Sequence, residues 1–353
     1  MRKIKLFLGA YVNFPNAQNI NCDNIAKYID KEKFEVHVMY TDRMEINKSL
    51  YKERGIYLHR LIDHRFIWTW CKYLTMAFGK YDIYYLPKRE KIDSVFVRRH
   101  KKNAVFLSSV EGVVGEQIPG TDSEIRNKYL IMDDIFSISK CIKTSVKKFW
   151  NIDTEILYLG VDLPKEHNIH RQKINVKNII WIGSVIERKR PEYLIECAEE
   201  FPQLQFTMIG DGEKLATIKK MVQKRQLKNF RLTGRISNLK VYDELENADL
   251  LLMTSNKEGL PKVIGEAMIS GVPTIYINEH YDVDYIQNGV NGYAVQNLEE
   301  MLQKIQELVD NPQKYQVMSA NALETISDYT WQKLIKEYER YFIEQYQKKS
   351  SEK

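Results

Sequence analysis

Glu258 and Glu266 are separated by seven residues in a segment whose pattern brings both carboxylates to the start of one helix. Residues 250–253 form an apolar run short enough for a buried strand, and apolar residues with helical spacing follow at 263–268. A side chain on the second helical turn points back toward the helix N-terminus, so Glu266 faces the loop that carries Glu258. Helix amides and the positive end of the helix dipole lie at the same place. Together these groups can hold a phosphate and a polyhydroxylated sugar.

The alternative for this pair is that both glutamates are solvated on a surface helix. The flanking apolar runs argue against it, because ligands of open α/β sheets bind outside the carboxyl ends of buried strands. Pro261 fits the first helical turn, and Gly271 with Pro273 ends the helix before the next apolar run, residues 274–277. The segment therefore predicts strand, loop, helix and strand, with the binding residues in the loop.

A cluster of cations follows a second strand-like run. Gly183 and Ser184 come directly after residues 178–182, and Glu187-Arg188-Lys189-Arg190-Pro191 precedes a helix predicted over 192–200. Cations on short tethers near helix amides are suited to bind a diphosphate. A charged surface without a ligand is the alternative.

Glu111 follows the strand-like residues 104–108 in the first half of the chain. A carboxylate at the end of a strand could orient an acceptor hydroxyl or accept its proton. A solvated loop residue is the alternative. Asp282 and Asp284 form a D-x-D pair away from the cations, and we interpret this pair as solvated, so no metal site is predicted.

The segment around the two glutamates resembles the E-x7-E segment of family 4 glycosyltransferases, the GT-B enzymes that include glycosyl transferases group 1. The matching residues are 258–261 (Glu-Gly-Leu-Pro), 266–268 (Glu-Ala-Met) and 271–273 (Gly-Val-Pro). The resemblance implies that Glu258 contacts hydroxyls of the donor sugar and that Glu266 holds the ribose of the nucleotide. It also implies that the amides of residues 259–262 steady the departing diphosphate.

The cation cluster resembles the same family, with one departure. Lys189 falls on the lysine that grips the pyrophosphate of the donor, but Ser184 stands where the family usually has an arginine after the glycine. Either Arg188 or Arg190 supplies that charge, or phosphate binding is weaker than in typical members. Glu111 is a second departure, because many members carry a histidine near the reacting sugar at that place.

The resemblance extends to a strand end at residues 230–236, whose backbone would pair with the edge of the nucleotide base. The predicted catalytic residues are Glu258 and Glu111. The predicted donor-binding residues are Gly183, Ser184, Arg188, Lys189, Arg235, Ile236, Glu258, Gly259, Leu260, Pro261, Lys262 and Glu266.

Strand-like runs alternate with helical patterns along the whole chain, without hairpin signals, which is typical of parallel, doubly wound sheets. The family fold would be GT-B, an α/β fold with two Rossmann-like domains facing across a cleft. We predict an acceptor-binding domain over residues 1–165, a nucleotide-sugar-binding domain over 166–328, and a C-terminal helix over 329–353 that crosses back to the first domain. The linker is placed at residues 164–173.

The 353 residues, 44% hydrophobic and 28% charged, indicate a globular chain with room for two cores. The four cysteines contain no C-x-x-C pair, so neither a disulfide framework nor a cysteine zinc site is predicted. The strand-like N-terminus lacks the pattern of a signal peptide, and charges interrupt the apolar region 66–86. We therefore expect a cytoplasmic protein.

Positive charge is concentrated in the first half of the chain. Residues 1–165 contain 28 Lys and Arg against 20 Asp and Glu, a net charge of +8, whereas the whole chain carries +6. An anionic membrane surface at the inner face of the membrane could be the partner. Nucleic acid is not expected, because no recognition motif accompanies the charge. A basic, solvated surface is the alternative.

The family resemblance implies a retaining transfer of a sugar from a nucleotide sugar, a UDP-sugar being our choice, without a cofactor. The acceptor would be a glycan or a lipid-linked molecule in the synthesis of cell-surface polysaccharide or glycoconjugate. Because Ser184 and Glu111 depart from the family pattern, a second hypothesis is that the protein binds nucleotide sugars or a partner transferase without catalysing transfer.

Overall fold

The computed structural model describes residues 2–14, 16–62, 64, 67–88, 90–115, 121–162 and 174–352. The chain divides into two compact units, which we call unit 1 (Met1–Gly160 with Trp331–Lys353) and unit 2 (Val161–Thr330). The chain thus passes between units at 160/161 and 330/331, where the sequence prediction placed the boundaries at 165/166 and 328/329. The predicted linker, residues 164–173, lies outside the described residues.

Unit 1 contains a parallel sheet of seven strands in the order β3-β2-β1-β4-β5-β6-β7. The strands are β1 (Ile4–Tyr11), β2 (Phe34–Thr41), β3 (Ile56–Leu61), β4 (Ile83–Tyr85), β5 (Val105–Val110), β6 (Asp134–Ser137) and β7 (Glu155–Ile156). The helices between them are α1 (Ala17–Tyr28), α2 (Lys48–Glu53), α3 (Ile67–Gly79), α4 (Lys91–His100), α5 (Thr121–Leu130) and α6 (Lys140–Trp150).

Unit 2 contains a parallel sheet of six strands in the order β10-β9-β8-β11-β12-β13. The strands are β8 (Asn178–Ile182), β9 (Gln205–Ile209), β10 (Phe230–Gly234), β11 (Leu250–Met253), β12 (Thr274–Ile277) and β13 (Gly292–Val295). The helices are α7 (Glu192–Glu200), α8 (Leu215–Lys224), α9 (Asn238–Asn247), α10 (Lys262–Ile269), α11 (Leu298–Asp310) and α12 (Pro312–Ile326). The last helix of the chain, α13 (Trp331–Ser351), belongs to unit 1.

The central strands of both sheets are largely buried because helices cover both faces of a doubly wound sheet. Every residue of β5, β11 and β12 is buried. Each sheet also has a topological switch point, between β1 and β4 in unit 1 and between β8 and β11 in unit 2. Ligands of such sheets bind at the carboxyl ends of the strands beside the switch point.

Helix α13 is fastened to unit 1 by buried polar contacts as well as by aromatic packing. The Tyr338 hydroxyl donates to the carbonyl oxygens of Leu157 and Tyr158 at 3.3 and 3.1 Å. The buried carboxylate of Glu339 accepts from the Asp30 amide at 2.9 Å. These bonds join α13 to the loop after α1 and to the segment that follows β7.

Two histidines on neighbouring strands of unit 1 form a pair, in which His37 is buried and His59 is half-buried. His37 Nδ1 lies 2.9 Å from His59 Nε2, and His37 Nε2 lies 2.9 Å from a carboxylate oxygen of Glu35. The Tyr81 hydroxyl lies 3.2 Å from the same His59 nitrogen. Burial lowers the pKa of His37 from its usual value, and burial together with the neighbouring His37 ring lowers the pKa of His59 to about 4.

We expect this pair to make the protein less stable as the pH falls from about 6.5 to about 4. In that interval the unfolded chain binds a proton at His59 that the folded chain does not, so the free energy of unfolding decreases, by roughly 2–3 kcal/mol. Urea unfolding of the wild type and of His59→Gln at several pH values measures the effect. A stability difference between the two proteins that does not change with pH would contradict it.

Candidate functional site

The carboxyl ends of β8, β9 and β10 are tied together by glycine backbone. The Gly183 amide donates to the Ile209 carbonyl at 3.0 Å, and the Gly210 amide donates to the Gly234 carbonyl at 3.0 Å. Gly210 has a φ of 144°, and a Cβ atom there would lie 1.8 Å from the Gly183 carbonyl oxygen. Glycine is therefore required at position 210 to keep the Gly183 turn in place.

The predicted cation cluster lies in a short 3-10 helix, Glu187–Lys189, which is fastened to the end of β11. The Thr254 hydroxyl donates to the Lys189 carbonyl at 2.6 Å and accepts from the indole N–H of the buried Trp181 at 2.9 Å. The Asn256 amide donates to the Arg188 carbonyl at 3.1 Å. Residues 65 or more positions apart are thus held together at the β8/β11 switch point.

Both cations converge on the predicted sugar-binding carboxylate. Lys189 Nζ lies 2.5 Å and Arg188 Nη1 lies 3.0 Å from the same oxygen of Glu258, Oε1. Arg188 also donates to the carbonyl of Lys257. The side chains of Lys189 and Glu258 are only 13% and 12% exposed, so solvent screens this ion pair weakly.

Two cations held on one carboxylate oxygen form a small site of positive potential that an external anion could enter. Arg190, the other candidate for the missing family arginine, has a left-handed backbone and pairs with Glu279 at 2.5 Å. Of the two arginines, Arg188 is therefore the one that shares a partner with Lys189. Ser184 lies at the end of β8, exposed, in the turn before them.

Glu266 lies on the second turn of α10, as predicted. Helix α10 begins at Lys262, with Pro261 as the residue before its first turn rather than within it. Burial raises the pKa of Glu266, Lys262 opposes that rise, and Asp162 adds to it. Glu266, which is half-buried, therefore binds a proton more readily than a fully exposed glutamate.

Gly259, Leu260 and Pro261 connect the two glutamates. Leu260 and Pro261 are buried, whereas Gly259 is partly exposed beside the first turn of α10. The Tyr285 hydroxyl donates to the Pro261 carbonyl at 3.2 Å and so fixes the loop where the helix begins. The backbone of this loop is accordingly held in one position relative to Glu266.

Arg235 and Ile236 follow β10, at the same edge of the sheet as the Gly183 turn. Arg235 is exposed and Ile236 is half-buried, so a ligand could reach the backbone of both. The left-handed conformation of Gly234, with a φ of 70°, turns the chain at this point. The predicted base-binding segment therefore lies at the correct edge, two strands away from the cations.

Two tyrosines of the site were not among the sequence-predicted residues. Tyr281 is 3% exposed, and burial together with the nearby charge of Glu258 raises the pKa of its hydroxyl well above the usual value. Tyr285 is the tyrosine bonded to Pro261. The spacing Tyr-x-x-x-Tyr after β12 was the available signal, but it does not distinguish a site from ordinary core packing. Asp282 of the D-x-D pair lies between these two tyrosines in the sequence. Its carboxylate accepts a hydrogen bond from the Tyr276 hydroxyl at 2.5 Å, so this residue of the pair has a contact within the protein.

Glu111 belongs to unit 1, directly after β5. Its carboxylate accepts from the Ser109 hydroxyl at 2.8 Å, and the Tyr85 hydroxyl donates to that Ser109 oxygen at 2.8 Å. Glu111 is therefore oriented by a short polar chain and is not a free loop residue. Its participation in chemistry stays a prediction.

Residues 163–325 match the family model of glycosyl transferases group 1. An uncharacterized glycosyltransferase of Methanocaldococcus jannaschii is 23% identical over 349 residues, which are 94% of this chain and 95% of the relative. The O-antigen biosynthesis glycosyltransferase WbnH of Escherichia coli is 26% identical over 202 residues, 56% of this chain and 57% of the relative. The chain thus matches little more than half the length of this second relative.

Solved structures show the same fold. Anabaena HepE in complex with UDP-glucose superimposes with a TM-score of 0.78 at 16% identity, over 97% of this chain and 100% of that chain. A TarM mutant of S. aureus, in a complex that contains UDP, gives a TM-score of 0.75 at 15% identity, over 97% and 100%. The chain therefore has the GT-B fold, and its residues 163–325 are similar to glycosyl transferases group 1.

Proposed function

We propose that this protein is a retaining glycosyltransferase that moves a hexosyl group from a UDP-sugar to a glycan or lipid-linked acceptor. The observation that carries the proposal is the convergence of Lys189 and Arg188 on one oxygen of Glu258 at the β8/β11 switch point. This arrangement puts two positive charges and a carboxylate in the volume where a family member would hold the diphosphate and the sugar.

In the proposed complex Lys189 and Arg188 bind the diphosphate in place of Glu258. The Glu258 carboxylate then accepts hydrogen bonds from the donor sugar. Negative charge grows on the diphosphate as its bond to the sugar breaks. Fixed cations and the backbone N–H groups of Gly259, Leu260 and Lys262 stabilise that charge in a site with little water, whereas Pro261 has no N–H to donate. Glu266 would bind the ribose, and the backbone at Arg235 and Ile236 would bind the base. The reaction needs no metal or cofactor in this proposal.

Support for UDP comes from the relatives, since solved structures of this fold contain UDP or UDP-glucose. Support for a role in cell-surface polysaccharide comes from relatives named for the synthesis of O-antigen and teichuronic acid. Glu111 would orient an acceptor hydroxyl or accept its proton. We place the reaction in the cytoplasm, at the inner face of the membrane, where a lipid-linked acceptor would be presented.

Calorimetric titration with UDP, GDP and ADP tests the donor site directly. We expect UDP to bind and Lys189→Ala to weaken that binding roughly tenfold to hundredfold, because a charge-assisted bond to the diphosphate contributes about 1.5–3 kcal/mol. Lys219→Ala, an exposed lysine on α8, is the matched control and should bind UDP as the wild type does.

Three outcomes of the titration are informative. Binding of GDP or ADP in place of UDP would keep the site and change the donor. Binding of UDP without turnover of any UDP-sugar would favour a non-catalytic subunit that recognises nucleotide sugars. Failure of all three nucleotides to bind would overturn the proposal, with Ser184 as the first position to examine.

A further inference from the structure

Helix α3 of unit 1 exposes a row of apolar side chains. Its exposed residues include Ile67, Trp70, Leu74 and Phe78, with exposed fractions of 42, 65, 44 and 79%. Their spacing of three, four and four residues places them along one face of the helix, which we call the α3 stripe. An ordinary surface helix would carry charged residues on this face and apolar ones toward the core.

The opposite face of α3 buries Met76 together with one charged side chain, Lys72. Lys72 is fully buried, and its ammonium lies 2.9 Å from Glu90 and 2.7 Å from the equally buried Asp93 of α4. These ion pairs fix the rotation of α3 about its own axis. The outward orientation of the α3 stripe is therefore set by the internal structure of unit 1.

Cations flank the stripe on the neighbouring helix. The exposed side of α4 and of the turn after it carries Lys91, Val95, Arg98, Arg99 and Lys102. Arg99 donates to the Tyr73 hydroxyl of α3 at 3.4 Å, which connects the two faces. Within the described ranges, Arg98, Arg99 and Lys102 form no ion pair with a carboxylate.

We propose that the α3 stripe and the cations of α4 form a docking surface for a bilayer with anionic lipids. An in-plane helix buries aromatic and aliphatic side chains at the boundary between headgroups and acyl chains, while adjacent Lys and Arg attract anionic headgroups. Thirteen residues of helix extend only about 20 Å, too short to cross the hydrocarbon core. In the described part of the chain no helix is long and apolar enough to span a membrane. The surface therefore fits attachment in the plane of the bilayer.

Flotation of the full chain with vesicles tests this surface independently of glycosyl transfer. We expect the wild type to float with phosphatidylcholine vesicles that contain roughly one third phosphatidylglycerol and to float poorly with phosphatidylcholine alone. Raising the salt concentration should reduce binding, because it screens the α4 cations. The variant Trp70→Ser/Phe78→Ser should lose at least about tenfold in bound fraction, and so should Arg98→Gln/Lys102→Gln.

The controls lie in unit 2, where substitutions of the same kind should leave vesicle binding unchanged. Leu239→Ser removes an apolar side chain that is 74% exposed, and Lys219→Gln/Lys220→Gln removes two exposed charges from α8. Circular dichroism shows whether each variant is folded, and UDP titration shows whether the proposed nucleotide site of unit 2 is intact. A folded protein that binds UDP but no anionic vesicle would overturn the docking proposal and leave the proposed function intact.

A second copy of the chain is the alternative partner for the α3 stripe. Light scattering after size exclusion distinguishes the two. A wild-type dimer that Trp70→Ser/Phe78→Ser converts to a monomer, together with vesicle binding that the same substitutions leave unchanged, would overturn the proposal.

Discussion

Glu258→Gln is expected to lower kcat for sugar transfer by roughly 10²–10³-fold while UDP binds as well as before or more tightly. The carboxylate is needed in the transition state, where it would hold the sugar. In the free protein, however, the Glu258 carboxylate forms ion pairs with Lys189 at 2.5 Å and with Arg188 at 3.0 Å. A diphosphate must displace it from both cations. Glutamine keeps the shape of the side chain and removes the charge, so the cations become available without that competition.

Turnover and calorimetry on the same preparation check this expectation. Glu279→Gln is the matched control, because Glu279 pairs with Arg190 and has no described contact with Lys189. The control should change kcat and UDP affinity by less than a factor of about three. If Glu258→Gln weakened UDP binding as much as Lys189→Ala does, Glu258 would act by holding the cations in place, and its assignment to the sugar would be wrong.

The elements that position the donor site could be predicted because their signals are local. Apolar runs such as residues 178–182 and 274–277 coincide with β8 and β12, since a strand buried on both faces reads as a short continuous apolar segment. Turn and cap residues supplied the boundaries of α7 and α10. The GT-B fold predicted from this alternation and from the family resemblance is confirmed by the structural comparisons.

The contacts inside the site could not be predicted, because they join residues that are distant in the sequence. Nothing local to Lys189 indicates that its partner is Glu258, 69 positions later, or that Thr254 fixes its carbonyl. Tyr281 is similar. Its closeness to Glu258 depends on how the loop after β12 folds back, which no periodicity reports.

In unit 1, the sequence pattern was also insufficient to predict whole helices and the direction in which they face. Helix α4, which carries Arg98 and Arg99, was not among the elements predicted from the sequence. The exposed apolar row of α3 could not be predicted from the pattern either, since apolar residues have helical spacing whether they face the core or the solvent. Only the partners of Lys72 decide which face is buried.

Lys72→Met is therefore expected to destabilise the protein by about 3–5 kcal/mol at neutral pH. Asp93 is fully buried, and burial already raises the pKa of its carboxyl above the usual value despite the adjacent ammonium. Removing that ammonium leaves Asp93 without its positive partner in a site that water does not reach, and it also removes the ion pair of the partly exposed Glu90. Urea unfolding followed by circular dichroism measures the loss. Lys52→Met, an exposed lysine on α2, should cost less than about 0.5 kcal/mol.

A second substitution separates the loss of charge balance from the loss of packing. Lys72→Met/Asp93→Asn removes one buried negative charge, and the amide oxygen of the introduced asparagine could still accept from the Glu90 amide, a bond that Asp93 makes at 2.8 Å. The double variant should recover a large part of the stability lost in Lys72→Met, because the remaining carboxylate, Glu90, is partly exposed and hydrogen-bonded by the Tyr11 hydroxyl at 2.6 Å. Equal stability of the two variants would show that Lys72 acts through packing of its alkyl chain. In that case the ion pairs would not be what holds the apolar side of α3 toward the solvent.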